Sequence, residues 1–167
     1  MAEIVYLSLG SNLGDRESFL RQAVHQLSSM TGLKLLARSS IYKSAPIDCP
    51  EGTPDFLNMV VKMDCSLTPE QLLDGTERLE RGQGREHKGG NCSRVIDIDI
   101  ILFGEQIINN DRLTIPHPRM AQRAFVLMPL CEISPRLTEP TSGAALSDLL
   151  GALGSQGVTR HKANTHV

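Results

Sequence analysis

Two aspartates separated by one residue, Asp97 and Asp99, are the strongest chemical signal in this sequence. They lie in the run 94–103, where apolar and acidic residues alternate, and the alternation predicts a strand with both carboxylates on one face. The apolar face would consist of Ile96, Ile98, Ile100 and Leu102. Carboxylate oxygens with spare coordination positions suit one or two Mg²⁺ ions that bridge to phosphates. The alternative is that both aspartates are simply solvated on an outward face. Because Asp is unfavourable inside a strand, we expect this acidic pair to be stabilised by a metal ion or by water.

Several arginines surround the acidic pair in the sequence, namely Arg85, Arg94, Arg112 and Arg123. A planar guanidinium suits bidentate recognition of phosphate. A nucleoside triphosphate carries about four negative charges, which Mg²⁺ and arginine donors neutralise in the ground state and during transfer. A single arginine is more often a surface residue, but four near an acidic strand indicate a site for a phosphorylated ligand.

A histidine between two prolines, His117, is a third candidate. The prolines fix its backbone, so it could donate to a phosphate or carry a proton. A purely structural role in the turn is an equal alternative on spacing alone.

An aromatic residue and an amide, Phe56 and Asn58, share one face of a predicted strand. Residues 56–65 alternate, and the odd-numbered positions carry the apolar side chains expected to form the core. Phe56 and Asn58 therefore lie on the opposite face, where a planar heterocycle could bind.

The elements that position these residues follow from periodicity and capping signals. We predict a strand over 4–9, the turn 10–14, a helix capped by Asp15, a strand over 33–43, a long loop over 44–55 and the strand 56–65. A capping box at Thr68 to Gln71 starts a helix that continues to about Arg81. A mobile loop over 82–93, the strand 94–103, a hairpin over 104–115 and a helix over 119–133 follow, and the polar tail from 154 is expected to fray.

This order predicts an α+β ferredoxin-like βαββαβ sandwich, an antiparallel sheet with helices on one face and an extra C-terminal helix. We expect a single domain over 1–167, because 167 residues suffice for one sizeable core.

Composition excludes several classes of partner. A net charge of −2 and a pI near 6.2 argue against a broad basic surface for nucleic acid or anionic membrane. No secretory signal or membrane-spanning run is visible, so we expect a cytoplasmic monomer that binds neither membrane nor nucleic acid. The four cysteines form no C-x-x-C pair, and we expect reduced thiols, with that of Cys92 exposed in a loop.

From about residue 4 to residue 150, the chain resembles the 6-hydroxymethyl-7,8-dihydropterin pyrophosphokinases of folate biosynthesis. The resemblance rests on four segments in family order, residues 9–14 (LGSNLG), 54–58 (PDFLN), 94–100 (RVIDIDI) and 113–120 (LTIPHPRM). It implies a ferredoxin-like fold and transfer of the β,γ-diphosphate of ATP to the pterin hydroxymethyl group, with release of AMP.

By matching positions, the resemblance implies that Asp97 and Asp99 hold two Mg²⁺ and that Arg85 and Arg94 are catalytic. The nucleotide side would comprise Glu80, Arg85, Arg94, Ile100, Arg112, Thr114, His117 and Arg123. The pterin side would comprise the backbone of Ser44, Ala45 and Ile47, the side chains of Phe56, Asn58 and Phe125, and Asp97. Residues 90–94 depart from the family's usual Arg-Trp-Gly-Pro-Arg stretch.

Two other classes of function are open. Nucleotidyltransferases also place a carboxylate pair on a strand, but their glycine-serine turn lies shortly before the aspartates, whereas residues 10–11 are far upstream. A ferredoxin-like sheet can also bind RNA, although that role favours exposed aromatic residues and a basic surface.

Overall fold

The computed structural model describes residues 2–84 and 92–162. Its elements are β1 (Glu3–Ser11), α1 (Arg16–Ser28), β2 (Leu33–Arg38), β3 (Tyr42–Ser44), β4 (Phe56–Cys65), α2 (Pro69–Gly82), β5 (Asp97–Phe103), β6 (Ile108–Asn109), β7 (Thr114–Ile115), a 3₁₀ turn (Met120–Gln122), α3 (Ala124–Ile133), α4 (Leu146–Leu153) and β8 (Thr159–Arg160). The predicted loop over 82–93 lies largely outside the described residues.

The main sheet is antiparallel, with the strand order β5-β1-β4-β3-β8 and with β2 also paired to β4. Helix α1 connects β1 to β2, and α2 connects β4 to β5, so each crossover carries one helix. This is the ferredoxin-like arrangement that the element order predicts. Strands β6 and β7 form the expected separate hairpin.

Both crossover helices begin at the residues that the capping signals indicate. The Asp15 carboxylate accepts a hydrogen bond from the Ser18 N–H at 3.2 Å. At α2, Gln71 N–H donates to Thr68 Oγ1 at 3.1 Å, and Thr68 N–H donates to Gln71 Oε1 at 2.9 Å. These bonds satisfy main-chain donors that have no partner within a helix, so the two helix starts are determined locally.

The two faces of the sheet carry separate hydrophobic layers. Helices α1 and α2 cover one face with buried residues that include Leu20, Leu27 and Leu72. The second face packs against α3 and α4 through residues such as Val60 and Leu127. Helices α3 and α4 leave part of this second face uncovered, and the candidate site occupies that part.

Three sequence predictions need correction. The strand predicted over 33–43 is divided into β2 and β3, because Ser39 between them bonds Val60 through both its main-chain N–H and its hydroxyl. The helix predicted over 119–133 breaks at Arg123, which has extended backbone angles. The tail does not fray immediately after 154, because Val158 is buried and β8 pairs with β3.

The prediction that Leu102 shares a face with the three isoleucines of the strand was also wrong. The register between β1 and β5 shifts between Tyr6 and Leu7, so that Leu102 pairs with Tyr6 whereas Ile100 pairs with Leu7. The extra residue is a β-bulge, which interrupts the alternation of side chains. Ile96, Ile98 and Ile100 pack in the α1–α2 layer as predicted, but Leu102 packs in the other layer.

Two of the four cysteines form a disulfide, which contradicts the expectation of reduced thiols. Cys49 and Cys92 are bonded, with their Cα atoms 5.9 Å apart and a sequence separation of 43. That Cα separation is typical of disulfides. Cys65 and Cys131 are free thiols, and burial raises the pKa of each.

No helix among residues 2–84 and 92–162 combines the length and the apolar character needed to cross a membrane.

Candidate functional site

A cavity of about 450 Å³ lies on the sheet face opposite α1 and α2. Its walls come from β1, β4 and β5, from the loop after β3, and from the segment that leads into α3. The lining residues are Ser8, Gly10, Ser44, Ala45, Pro46, Ile47, Asp48, Cys49, Phe56, Asn58, Cys92, Arg94, Asp97, Asp99, Arg119, Gln122, Arg123 and Phe125. We refer to it as the site cavity.

Strand register brings the acidic and amide residues together. On one side of β1, Gly10 pairs with Asp97 and Ser8 pairs with Asp99. On the other side, Gly10 pairs with Asn58. Side chains of directly paired residues point to the same face of a sheet, so the acidic pair and Asn58 lie on the same floor with β1 between them.

The absence of a side chain at Gly10 keeps this floor open. A Cβ atom there would lie 3.2 Å from Asn58 Oδ1 and 3.6 Å from Phe56 Cδ1. The first distance is shorter than ordinary van der Waals contact, so even alanine would press on the Asn58 amide.

A buried glutamate holds the strand that carries the acidic pair. Glu80 in α2 is 2% exposed, and its Oε2 atom accepts a hydrogen bond from Ile98 N–H at 2.7 Å. Strand β5 is an edge of the sheet, and this bond satisfies one of its main-chain donors. Because Ile98 separates Asp97 from Asp99, Glu80 fixes the backbone between the two carboxylates from the opposite side.

The acidic pair fits Mg²⁺. Asp97 and Asp99 are partly buried and line the same cavity, and Asp97 Oδ2 lies 3.2 Å from Arg94 Nη1. Within the ranges that the structure describes, no cluster of three or more His, Cys, Asp or Glu side chains could enclose a metal ion. Mg²⁺ commonly binds through one or two carboxylates and takes its other ligands from water and phosphates, so two aspartates on an open wall are sufficient.

Three arginines, Arg94, Arg119 and Arg123, line the same cavity as the acidic pair. Burial lowers the pKa of the Arg123 guanidinium, and Asp99 opposes this effect by its negative charge. An arginine side chain stays charged in proteins. The cavity therefore holds a partly desolvated cation next to carboxylates, an arrangement suited to a phosphate chain with bound metal.

Arg123 and Phe125 are positioned by the start of α3. The Arg123 guanidinium carbon lies 5.4 Å from the centroid of the Phe125 ring, within range of a cation–π contact. From the C-terminal segment, Gln156 accepts a hydrogen bond from Ala124 N–H at 2.9 Å and donates one to the Gln122 carbonyl at 3.2 Å. The segment after α4 therefore supports the main chain on both sides of Arg123.

The other end of the cavity combines aromatic surface with main-chain groups. Asn58 is 3% exposed, and its Nδ2 donates to Ser44 Oγ at 2.8 Å. Phe56 and Phe125 both line this end, together with the segment from Ser44 to Cys49. An amide with one edge already bonded to protein and two aromatic rings can hold a flat polar ring in a fixed orientation.

The structure brings together every residue that the sequence analysis assigned to the pterin side, along with Arg94, Asp99 and Arg123. Five residues assigned to the nucleotide side do not line the cavity: Glu80, Ile100, Arg112, Thr114 and His117. Arg85 lies outside the described residues.

Four of these five residues occupy three different settings. Ile100 is buried in the α1–α2 layer, as is the Glu80 carboxylate beneath β5. Arg112 is exposed and pairs with Asp74 at 2.8 Å and Glu77 at 3.1 Å, and the Asp74 bond raises its pKa. Thr114 is in β7.

His117 stabilises a turn. Its N–H donates to the Ile101 carbonyl at 3.0 Å, and its ring Nδ1 accepts from the Arg119 N–H at 3.2 Å. A cis peptide bond joins Ile115 to Pro116 just before it. The sequence left open a role with phosphate or protons and a structural role in the turn. These contacts are those of the structural role, and the same turn carries Arg119, which lines the cavity.

Sequence reasoning missed Ser8, Gly10, Arg119 and Gln122 as cavity residues. Ser8 and Gly10 alternate with the buried Leu7 and Leu9, so the period of the strand already indicated their face. Arg119 is within one of the four family-like segments, but only the folded turn brings it to the acidic pair.

Two comparisons with known proteins point to one enzyme family. The family model described as 7,8-dihydro-6-hydroxymethylpterin-pyrophosphokinase (HPPK) matches residues 6–135. A protein of Haemophilus influenzae named 2-amino-4-hydroxy-6-hydroxymethyldihydropteridine pyrophosphokinase is 42% identical over 137 residues, which are 82% of this chain and 85% of that protein.

Larger proteins contain a similar segment. The folic acid synthesis protein fol1 of Pneumocystis carinii is 43% identical over 145 residues, but the chain spans only 19% of its length. The solved structure of Plasmodium falciparum HPPK-DHPS with pteroate matches 91% of this chain and 42% of its own, with a TM-score of 0.71 and 16% identity, so it supports the fold alone.

Proposed function

We propose that the site cavity is the active site of this chain, which belongs to the 7,8-dihydro-6-hydroxymethylpterin-pyrophosphokinase family. The enzyme transfers the diphosphate of ATP to the hydroxymethyl group of 6-hydroxymethyl-7,8-dihydropterin, giving the pterin diphosphate and AMP in folate biosynthesis. One observation carries the assignment of the site. A single cavity joins the acidic pair and its arginines to an amide and two aromatic rings.

We place the pterin between Phe56 and Phe125. The Asn58 amide is held by Ser44 and would select the polar edge of the ring, while main-chain groups of Ser44, Ala45 and Ile47 would bind the rest of that edge. The aromatic rings supply contact area and the amide supplies selectivity. Asp97, at the boundary with the phosphate side, would face the hydroxymethyl group.

We propose that Asp97 and Asp99 hold two Mg²⁺ ions. Bound there, the ions would neutralise charge on the phosphates of ATP. The chain's own part is positioning and electrostatic stabilisation: Arg94 and Arg123 would bind the transferring diphosphate, and Arg85 is proposed for the same role from its motif position. Preorganised cations of this kind stabilise charge that develops during transfer.

The rest of the nucleotide side, also a proposal, comprises Glu80, Ile100, Arg112, Thr114 and His117. Contacts link these residues to β5 and α2: Glu80 bonds Ile98, His117 bonds Ile101, and Arg112 pairs with α2. ATP extending from the acidic pair along β5 would pass near them. Their present contacts support a role in shaping this surface, and direct binding is proposed from their motif positions alone.

We further propose that the chain acts as one domain over 1–167, as a monomer in the cytoplasm, without nucleic acid or membrane partners. Size-exclusion chromatography with light scattering tests the monomer, since a dimer at working concentration would contradict it.

An AMP-release assay tests the reaction and the metal site together. Purified enzyme is incubated with ATP, Mg²⁺ and 6-hydroxymethyl-7,8-dihydropterin, and wild type is compared with Asp97→Asn. We expect pterin-dependent AMP from wild type and its loss in the variant, while Asp64→Asn, which alters a strand aspartate outside the cavity, serves as the matched control. Formation of ADP, or AMP attached to an acceptor, would contradict the proposed site and reaction.

A further inference from the structure

The Cys49–Cys92 disulfide joins two parts of the site cavity. Cys49 belongs to the loop over 45–55, which continues the pterin-side segment, and Cys92 lies two residues before Arg94 on the phosphate side. Both cysteines line the cavity and are partly exposed. The bond therefore connects the wall that faces the pterin to the strand entrance that carries a phosphate-binding arginine.

Apart from this bond, hydrogen bonds between described residues hold the loop to the rest of the protein only near its ends. Among the described residues, hydrogen bonds of residues 45–52 stay inside the loop, as in the contact of Thr53 with the Pro50 carbonyl. The first bonds to the body of the protein come at Pro54, whose carbonyl accepts from Asn12 Nδ2, and at Asp55, whose carbonyl accepts from Arg16.

The other side of the link is firmly anchored. Asn12 is 2% exposed, and its Nδ2 donates to the Cys92 carbonyl at 2.7 Å. Its Oδ1 accepts from Arg94 N–H at 2.6 Å. Cys92 is thus an anchored point to which the disulfide fastens the middle of a weakly held loop.

We propose that Cys49 and Cys92 form a reversible redox modification site that controls pterin binding. This inference rests on the proposed function of the cavity. In the oxidised form, the bond holds Ala45 to Cys49 at the pterin wall before the ligand arrives. Reduction releases the middle of the loop, so its residues must be ordered when pterin binds, and that entropy cost weakens affinity.

The chemistry balances with a dithiol reductant. A thiolate of the reductant attacks one sulfur, the S–S bond breaks, and the other cysteine leaves as a thiolate that takes a proton. The second thiol of the reductant then displaces the mixed disulfide, giving two protein thiols and one oxidised dithiol. The bond re-forms by the reverse exchange, in which a small-molecule disulfide accepts the two electrons and leaves as two thiols. In reducing compartments, disulfides are typically transient or redox-sensing.

The test measures thiol content and pterin affinity on the same samples. Enzyme oxidised with trans-4,5-dihydroxy-1,2-dithiane and enzyme reduced with dithiothreitol are freed of reagent under nitrogen. Thiol titration after denaturation should find the two free cysteines, Cys65 and Cys131, in the first sample and all four in the second. Isothermal titration with 6-hydroxymethyl-7,8-dihydropterin and a non-hydrolysable ATP analogue should then give a pterin Kd about tenfold higher for the reduced enzyme.

Variants separate the disulfide from other effects of the reductant. Cys49→Ser and Cys92→Ser should each show the weaker Kd without responding to dithiothreitol, whereas Cys131→Ser should keep the full response. Equal pterin affinity in the two redox states, or four titratable thiols after oxidation, would overturn the inference alone. If pterin bound in neither state, the proposed function would fail and the inference with it.

Discussion

Gly10 pairs directly with Asn58 across β1 and β4, and a side chain at Gly10 would begin 3.2 Å from the Asn58 amide oxygen. The close approach of this neighbour favours glycine here, since the backbone angles of Gly10 are not of the left-handed kind that favours glycine. The residue type at Gly10 in β1 therefore affects the position of Asn58, the residue proposed to select the pterin.

Replacing Gly10 with alanine should weaken pterin recognition. The new methyl group would displace the Asn58 amide and disturb its bond to Ser44, so we expect the pterin KM to rise about tenfold, equivalent to about 1.4 kcal/mol, with the ATP KM unchanged. Steady-state assays with each substrate varied in turn measure both. Gly82→Ala, at a position where a Cβ meets nothing within 4 Å, is the control, and an equal change in both KM values would contradict the explanation.

Removing the Glu80 carboxylate should destabilise β5 and misplace the acidic pair. Glu80→Ala leaves the Ile98 N–H without its acceptor, and an unsatisfied buried donor costs about 1–3 kcal/mol. We expect a lower free energy of unfolding in urea and a higher Mg²⁺ concentration for half-maximal activity. Glu80→Gln keeps an oxygen acceptor and should recover most of both properties; no recovery would show that the charge matters more than the hydrogen bond.

Arg112→Ala should affect nucleotide use without affecting stability. Its ion pairs with Asp74 and Glu77 lie in solvent, where such pairs contribute little to folding. If Arg112 also binds ATP as proposed, the variant will raise the ATP KM and leave the pterin KM and the thermal unfolding midpoint unchanged. Arg136→Ala, another exposed arginine outside the cavity, is the comparison, and an unchanged ATP KM in Arg112→Ala would remove this residue from the nucleotide side.

Reduction of the Cys49–Cys92 disulfide should lower stability. The bond closes a segment of 43 residues, for which loop-closure entropy gives a stabilisation of about 4 kcal/mol as an upper value. Urea unfolding with and without dithiothreitol measures the difference. Cys49→Ser should match the reduced wild type in both conditions, and a further loss on adding reductant to this variant would point to a different target.

Local signals predicted the parts of the fold that depend on neighbours in sequence. The Thr68–Gln71 capping box and the Asp15 cap required only side chains three residues away, and the alternation in 94–103 correctly put Asp97 and Asp99 on one face. Phe56 and Asn58 were paired by the same reasoning.

Features that depend on distant segments were not predictable in this way. The bulge that reverses Leu102 reflects how β5 packs on β1, and no residue in β5 signals it. The disulfide requires the loop after β3 to meet the entrance of β5, so counting cysteines could not find it. On the pterin side, Ser44, Ala45, Ile47 and Phe125 came from family resemblance, because their approach to Asn58 is a tertiary contact.

Because of the bulge in β5, the number of residues between the carboxylates and the end of the strand matters as much as their identity. Before it, the strand presents Asp97 and Asp99 to the cavity; after it, Leu102 and Phe103 fill opposite hydrophobic layers. Inserting one residue between Asp99 and the bulge would shift the alternation by one position and exchange the layers of the last two side chains. In this segment, homologous sequences can therefore be expected to vary by substitution and to keep the same length between the carboxylates and the end of the strand.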